Sequence, residues 1–452
     1  MIYSALYIVV LIYAIISYIR KKYVAFIIST FLLLSNFLRI IPSGQLRPVD
    51  IELLICVPLL FYCYLIDKSI FNTRKDKIGK IIKFLIVYYF ICIILSVIRG
   101  KESFGYGLLL FRFEIFQLSY FIFKRIDMQS LQKAFKYIIY LNIFGGILYY
   151  LQFLGVTNIL MTNTEITTDG GGIQRFTNSP YLTIPILLYL FFSNTHIKHR
   201  LILIFFYLGL FVLPMGRGAL IATVAVSLFY LFAKKRIKLK QLIVIGLAFC
   251  IFQPIISYRF SERGSTGSGV INEMKESARL LTERNFSGYN SQSLIYNDGT
   301  FAFRMTMVAE RINYLSESFI RLLIGEGTIH ESSNSIKRYN FNVGTLISED
   351  GTLHMQQIDT NDVAFISHIF RYGFIYLMIY ATFLTLALKK LYKADHPFAV
   401  CAFLYLMSLV VRSLGTDQFS TLQGMFFILL VLGIMNNGST NMETEKQISR
   451  SI

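Results

Sequence analysis

Apolar runs of roughly 17–25 residues recur along the whole chain, and each is long enough to cross the ~30 Å hydrocarbon core of a bilayer as an α-helix. Only 15% of the residues are charged, against roughly 25% in soluble proteins, which excludes a soluble enzyme. The sequence therefore predicts an all-α, polytopic membrane helix bundle of about 12–14 spans. Our count is thirteen spans, near residues 2–19, 23–41, 51–66, 81–98, 108–123, 134–154, 181–194, 201–214, 219–233, 241–258, 362–388, 397–413 and 422–436.

Lysine and arginine orient these spans. Alternate connections hold 25 of the 44 basic residues, and an excess of basic residues is typical of cytoplasmic connections. The opposite side then receives a long polar segment, residues 259–360, in which 10 basic and 12 acidic residues nearly balance. The formal net charge of +18 thus reflects topology and anionic headgroups. It does not indicate nucleic-acid binding, because no basic patch with interleaved aromatics is present.

The predicted organisation has four parts. These are spans over 1–258, a large external loop over 259–360, spans over 361–436 and a cytoplasmic tail over 437–452. Within the loop, residues 301–323 have helical periodicity, with Arg304, Arg311 and Glu317 opposite an apolar face. This pattern predicts amphipathic helices that lie over the membrane face.

Several ionisable residues lie within apolar spans, where each costs at least ~2.5 kcal/mol at the bilayer centre. Arg112 and Glu114 belong to the fifth span, and His368 and Arg371 belong to the eleventh. Under the orientation above, nearly all fall in the outer halves of their helices, so a water-filled cavity that opens outward would explain them. The alternative is a set of interhelical salt bridges, such as Arg112 with Glu114 or Glu52.

Two outer turns present an arginine beside glycines. Gly216 and Gly218 flank Arg217 between two apolar runs, and irregular backbone at such a break is tolerated where it lines a cavity. Arg175 follows three glycines just before span seven, and a helix N-terminus attracts anions. Since guanidinium binds phosphate bidentately, both are candidate ligands of a phosphate-bearing substrate. The alternatives are a plain turn at Arg217 and a merely flexible loop around Arg175.

The entry to span eleven concentrates polar groups. Asn361 or Asp362 is first of all a helix cap. On a continuous helix, Asn361, His368 and Arg371 share a face, and Arg371 lies about 13 Å deeper than Asp362. A rim carboxylate above a histidine and an arginine is typical of an acid/base and anion site, whereas a buried core histidine is the alternative for His368.

Taken in order, four motifs resemble those of the Wzy-type O-antigen and capsule polymerases, which are related to O-antigen ligases and O-oligosaccharyltransferases. The resemblance covers roughly residues 140–435. The motifs are Gln174-Arg175-Phe176 with Asn178 and Pro180, Gly216-Arg217-Gly218-Ala219-Leu220, Arg304 followed by Leu323-Ile324-Gly325-Glu326-Gly327, and Thr360-Asn361-Asp362 with Gly373. The ligases carry a histidine where this chain has Asn361-Asp362, which favours a polymerase.

The resemblance implies a GT-C-like fold in a bacterial cytoplasmic membrane and an inverting glycosyl transfer between lipid-linked repeat units. Undecaprenyl-pyrophosphate-linked glycans would be the substrates, with membrane lipids, a chain-length regulator and a flippase as further partners. It implies that Arg217, Arg175, Arg304 or Arg371 binds the pyrophosphate, and that Asp362, His354 or His368 accepts the hydroxyl proton. Arginine would replace a metal, so no metal and no cofactor are implied.

Three other functions remain open from the sequence. A ligase or O-oligosaccharyltransferase would use the same donor with another acceptor. A flippase for lipid-linked oligosaccharides would favour internal repeats and short external loops, whereas this chain has a 102-residue external segment and no evident repeat. The third is a non-catalytic assembly factor.

Overall fold

Helices dominate the computed structural model, which describes residues 2–35, 48–153, 166–168, 174–176, 179–193, 197–213, 217–234, 279, 286–291, 294, 299–349, 352–360, 363–413, 415, 419 and 422–448. Two antiparallel β-hairpins are the strands within this part of the chain: β1 (Ile166–Thr168) with β2 (Gln174–Phe176), and β3 (Leu346–Glu349) with β4 (Thr352–Met355). The predicted all-α class is confirmed.

The helices follow the apolar runs in chain order. They are α1 (Ile2–Ile19), α2 (Tyr23–Leu34), α3 (Pro48–Ile66), α4 (Lys77–Ile98), α5 (Phe104–Phe111), α6 (Ser119–Phe123), α7 (Met128–Phe153), α8 (Thr183–Phe192), α9 (Arg200–Val212), α10 (Arg217–Ala233), α11 (Gly299–Ser316), α12 (Phe319–Ile324), α13 (Ile366–Lys393), α14 (Pro397–Arg412) and α15 (Leu422–Ile448).

Three of these helices, α4, α7 and α13, are long and apolar enough to cross a membrane. The pair α5 and α6 meets the same criterion as one span that is bent by 48°. Eight further helices contain shorter apolar stretches of 10–17 residues, such as Leu6–Ile19 and Leu422–Asn436, whereas roughly 20 residues cross a bilayer. The protein is thus a helical membrane protein, with helices in twelve of the thirteen predicted segments; the segment 241–258 lies outside the described residues.

The basic connections gather at one end of the bundle, here called the basic end. Lys124 forms an ion pair with Asp76 at 3.1 Å, and Asp76 caps α4 by accepting from Gly79 N. Lys234, after α10, donates to the carbonyl oxygen of Tyr392 in the last turn of α13. These contacts join the ends of helices that the charge pattern predicts to lie on the same side of the membrane. The last helix continues to Ile448, past the predicted boundary at 436.

The opposite end, here called the loop end, receives the external segment. Lys101, after α4, pairs with Glu326 at 2.8 Å, and Thr328 N donates to Ser96 Oγ at 3.2 Å. The external segment packs around the start of α13 through two apolar clusters. One joins Leu315, Tyr339 and Phe341 to Ile369 and Phe370, and the other joins Phe303 and Met307 to Val363 and Ile366.

Arg311 does not lie on an exposed polar face, so that prediction is wrong. Its side chain is buried. Its guanidinium is satisfied there, because it forms an ion pair with Glu310 at 2.9 Å and donates to the carbonyl oxygen of Gln357 at 2.8 Å. It also stacks over the ring of Phe341. Burial lowers the pKa of Arg311 to about 10, which leaves it charged at neutral pH.

Helix α13 begins at Ile366, and residues 363–365 before it form a bend and a turn, so the prediction of a helix that starts at 362 is wrong. The helix breaks at Gly373 (φ 72°, ψ −173°). At the break the helix crosses Gly325 (φ 73°) backbone to backbone, and a Cβ on either glycine would clash with a backbone oxygen of the other strand. The carbonyl oxygens of Phe370 and Arg371 accept from Glu326 N at 2.9 Å and Gly327 N at 3.1 Å.

Gly373→Ala should lower the melting temperature of the purified protein in detergent. An alanine in this backbone region costs about 1–3 kcal/mol, and the clash with Leu323 O adds to it. Gly105→Ala is the matched control, because its added Cβ meets no atom within 4 Å. Equal melting temperatures for the two variants would contradict the described crossing.

Candidate active site

The bend between α5 and α6 places two charged residues inside an apolar segment of span length. α5 ends at Phe111, with Arg112 as its C-cap, and Glu114 precedes a 3₁₀ turn over Ile115–Leu118. The Arg112 guanidinium lies 5.1 Å from the ring centroid of Phe113. Non-helical backbone within a membrane is found where protein or a water-filled cavity surrounds it. The bend is therefore the first structural pointer to a functional site.

Glu114 contacts His368 across the bundle. Oε1 of Glu114 lies 3.1 Å from Nε2 of His368, and the side chains are 4% and 12% exposed. Gln117 Nε2 donates to the other carboxylate oxygen at 3.1 Å, while the imidazole stacks on Tyr376 with centroids 5.2 Å apart. A carboxylate that orients an imidazole in this way is the arrangement that general base catalysis uses.

Arg371, one turn further along α13, contacts the external segment. Its Nη2 lies 2.6 Å from Asp359 Oδ1, and its Nε donates to the carbonyl oxygen of Ile329 at 2.8 Å. The residue is 6% exposed. The family resemblance implies that Arg371 binds pyrophosphate, but these contacts hold two parts of the external segment against the helix. His368 therefore contacts a carboxylate that suits proton transfer. The contacts of Arg371 suit a role in positioning the external segment.

His330 lies next to this ion pair. Its ring stacks on Tyr106 with centroids 5.3 Å apart, and its Nδ1 accepts from Ser332 N at 3.1 Å. Burial lowers the pKa of His330. Asp359 and Glu102 oppose this shift, and Arg371 and Arg112 add to it. The bend of span five and the external segment therefore share one electrostatic environment at the loop end.

A second group of polar residues surrounds the end of α14. Nη1 of Arg304, on α11, would lie 3.5 Å from a Cβ placed on Gly415, and Gly415 follows Arg412 closely. Ala364 N donates to Ser413 O at 2.9 Å, which joins the start of α13 to the same place. Arg304 thus lies at the loop end, near the end of α14, and its role as an anion ligand stays a prediction.

Arg217 is the first residue of α10. Tyr230, near the other end of α10, contacts Phe403 of α14 and Tyr392 of α13. Because Tyr392 belongs to the basic end, the start of α10 lies at the loop end, about 20 Å away along the helix axis. The Arg217 side chain lies outside the described residues, so its contact with a substrate stays a prediction.

The other predicted site residues are located by backbone alone or not at all. Arg175 pairs with Thr167 in the β1–β2 hairpin, and its side chain lies outside the described residues. Asp362 also lies outside them, one residue before the described Val363. His354 is exposed on β4, opposite Ile347, and its role as a base stays a prediction.

Sequence reasoning missed three partners in this site. It considered Glu114 as a partner of Arg112 rather than of His368, and it gave no role to Asp359 or His330. One signal was readable: His368, Tyr372, Tyr376 and Tyr380 recur every four residues, which predicts an aromatic face beside the imidazole. Among the described residues, no group of three or more His, Cys, Asp or Glu side chains is arranged to hold a metal ion.

No model of a known protein family matches this chain, and a comparison with curated proteins finds no significant match.

His330 should make stability depend on pH. Its pKa is lowered in the folded protein, so the neutral form stabilises the fold above the unfolded pKa of ~6.5, and this contribution is lost as the pH falls below that value. Thermal unfolding in detergent between pH 8 and pH 5 should show a steeper loss for the wild type than for His330→Asn. The exposed His354→Asn serves as control, and identical slopes for all three proteins would contradict the assignment.

Proposed function

We propose that the protein is a polysaccharide polymerase that joins undecaprenyl-pyrophosphate-linked repeat units at the outer face of a bacterial cytoplasmic membrane. The helices would form a GT-C-like bundle, and the loop end would face outward, as the basic connections require. The proposal rests on the resemblance of the ordered motifs together with the chemistry available at the loop end.

The observation that carries the proposal is the buried contact between Glu114 and His368 at 3.1 Å. Ionisable groups inside a membrane protein are costly and mark functional sites by default. In the tautomer that donates Nε2–H to Glu114, the imidazole carries its lone pair on Nδ1. Such a ring can accept the proton of a sugar hydroxyl, as a polymerase requires of its acceptor.

The proposed step is a single displacement with inversion. The acceptor hydroxyl oxygen attacks the anomeric carbon of the donor, and the bond from that carbon to the pyrophosphate oxygen breaks. The proton passes to His368, for which Asp362 and His354 remain alternatives. The lipid diphosphate leaves with the bonding electrons, and Arg304, Arg217 and Arg175 would stabilise its developing charge.

Arg371 takes a positioning role in this proposal. Its ion pair with Asp359 and its bond to Ile329 O fix the external segment on the same half-helix that carries His368. Removing one partner of a buried ion pair leaves an uncompensated charge. Its loss would therefore affect the geometry of the site rather than a direct contact with substrate.

Deletion of the gene followed by glycan analysis tests the function. Surface chains should collapse to single repeats, and plasmid-borne wild type should restore long chains. Arg217→Ala should fail to restore them and Arg217→Lys should do so poorly, because the bidentate fork is lost. The matched control is Arg74→Ala, exposed at the basic end. Loss of all attached glycan would instead indicate a ligase, and lipid-linked units that accumulate facing the cytoplasm would indicate a flippase.

The Glu114–His368 pair should control the chemical step. With purified protein and lipid-linked repeat units, His368→Asn should lower kcat by about 10²–10⁴-fold, and Glu114→Gln should lower kcat more than it changes KM. Asp67→Asn, which removes a carboxylate charge from a helix cap at the basic end, should leave kcat unchanged. Wild-type rates from His368→Asn, with Asp362→Asn or His354→Asn inactive, would refute His368 as the base.

A further inference from the structure

Two large apolar side chains stand out on the external segment. Phe319 is 71% exposed and Ile320 is 61% exposed. Within the described parts of residues 259–360, they are the large hydrophobic side chains that remain exposed, whereas their neighbours in the segment are covered by its apolar clusters. They begin the short helix α12, and nothing in the described protein covers them.

Helix α12 lies beside α13 rather than above it. Leu322 packs on the same apolar cluster as Phe374 and Leu377 of α13. The residue after α12, Gly325, meets the backbone at Gly373. Phe374 and Leu377 lie beyond the helix break, towards the basic end. Helix α12 therefore lies beside a part of α13 that already belongs to the apolar span.

The length of α13 locates this depth relative to the bilayer. The part of α13 beyond the break, residues 374–393, is helical and spans roughly 30 Å at 1.5 Å per residue, which matches the ~30 Å hydrocarbon core. If Lys389 and Lys390 mark one boundary, the other falls about 20 residues earlier, close to the break at Gly373. Helix α12 thus lies at the outer boundary of the hydrocarbon.

The two spans that this part of the external segment contacts, α4 and α13, also carry exposed apolar side chains. Ile98, at the end of α4, is 75% exposed, and Met378, on α13, is 67% exposed. Gly327 packs against Ser96, two residues before Ile98. Phe319 and Ile320 are thus exposed on a segment that packs against two spans whose own apolar side chains can face lipid acyl chains.

The charge within α12 is neutralised internally. Arg321 forms ion pairs with Glu326 at 2.6 Å and with Glu317 at 3.0 Å, and it lies over the ring of Tyr314 at 4.5 Å. Insertion of the pair would therefore not bury an uncompensated arginine. Glu317 is 63% exposed, which suits the headgroup layer.

We propose that Phe319 and Ile320 insert into the outer edge of the bilayer, among the upper acyl carbons, and anchor the external segment to the lipid surface. Amphipathic helices bind at this level through their apolar side chains. The anchor would hold the Leu323–Gly327 strand against the break of α13, and with it the loop end of the bundle. This inference does not depend on the proposed reaction.

The chain contains no tryptophan, so each single-tryptophan variant carries its own depth reporter. Phe319→Trp would be reconstituted into nanodiscs whose phosphatidylcholine is brominated either near the headgroup or deep in the acyl chain. Its fluorescence should be quenched, and more strongly by the shallow bromines. Two variants serve as controls. Phe84→Trp replaces a side chain of α4 that is 54% exposed, and its fluorescence should be quenched strongly. Lys337→Trp, at an exposed position on the external segment, should not be quenched.

Failure of both brominated lipids to quench Phe319→Trp, with Phe84→Trp quenched normally, would overturn the proposal. A second measurement tests whether a second copy of the chain, rather than lipid, covers Phe319 and Ile320. If Phe319→Glu with Ile320→Glu dissociates a dimer seen by mass photometry in nanodiscs, the patch is an interface between copies of the chain and the lipid anchor is refuted. An unchanged oligomeric state together with shallow quenching supports the anchor.

Discussion

The structure depends on one backbone junction, where the external segment enters a break in α13. Carbonyl oxygens of Phe370 and Arg371 lose their helical partners because Gly373 leaves helical geometry, and Glu326 and Gly327 supply the missing N–H groups. Buried away from water, such groups must be satisfied within the protein. Only glycine fits on both sides of the crossing, since a Cβ on either would meet backbone. The junction thus attaches the external segment to the helix bundle through backbone hydrogen bonds.

Charged groups collect around this junction for a physical reason. The broken backbone of α13 and the bend before α6 both lie in the loop-end half of the bundle, where buried polar groups can find partners. There His368 meets Glu114, and Arg371 meets Asp359. At the basic end, by contrast, Asp76 and Lys124 close helix ends. This division supports placing chemistry at the loop end and structural capping at the other.

The sequence predicted the helices well where a single apolar run decides them. Both ends of α1 match the first apolar run, because burial in lipid needs no specific partner. Prediction failed where a distant segment decides the outcome. Arg311 reads as a surface residue until the carbonyl oxygens of Val343 and Gln357 are brought to it. His368 and Arg371 are candidate site residues from the sequence alone, but their partners Glu114 and Asp359 depend on how the bent span and the loop pack, which no local pattern encodes.

Hydrogen–deuterium exchange over residues 325–330 tests the junction most directly. Six consecutive amides there have acceptors in the protein, including the carbonyl oxygens of α13, Ser96 Oγ and a Glu102 carboxylate oxygen. The account predicts that this stretch exchanges as slowly as the buried turns of α13, while the exposed 3₁₀ helix Asn334–Arg338 exchanges fast. Equally fast exchange in both stretches would contradict the junction and the site built on it.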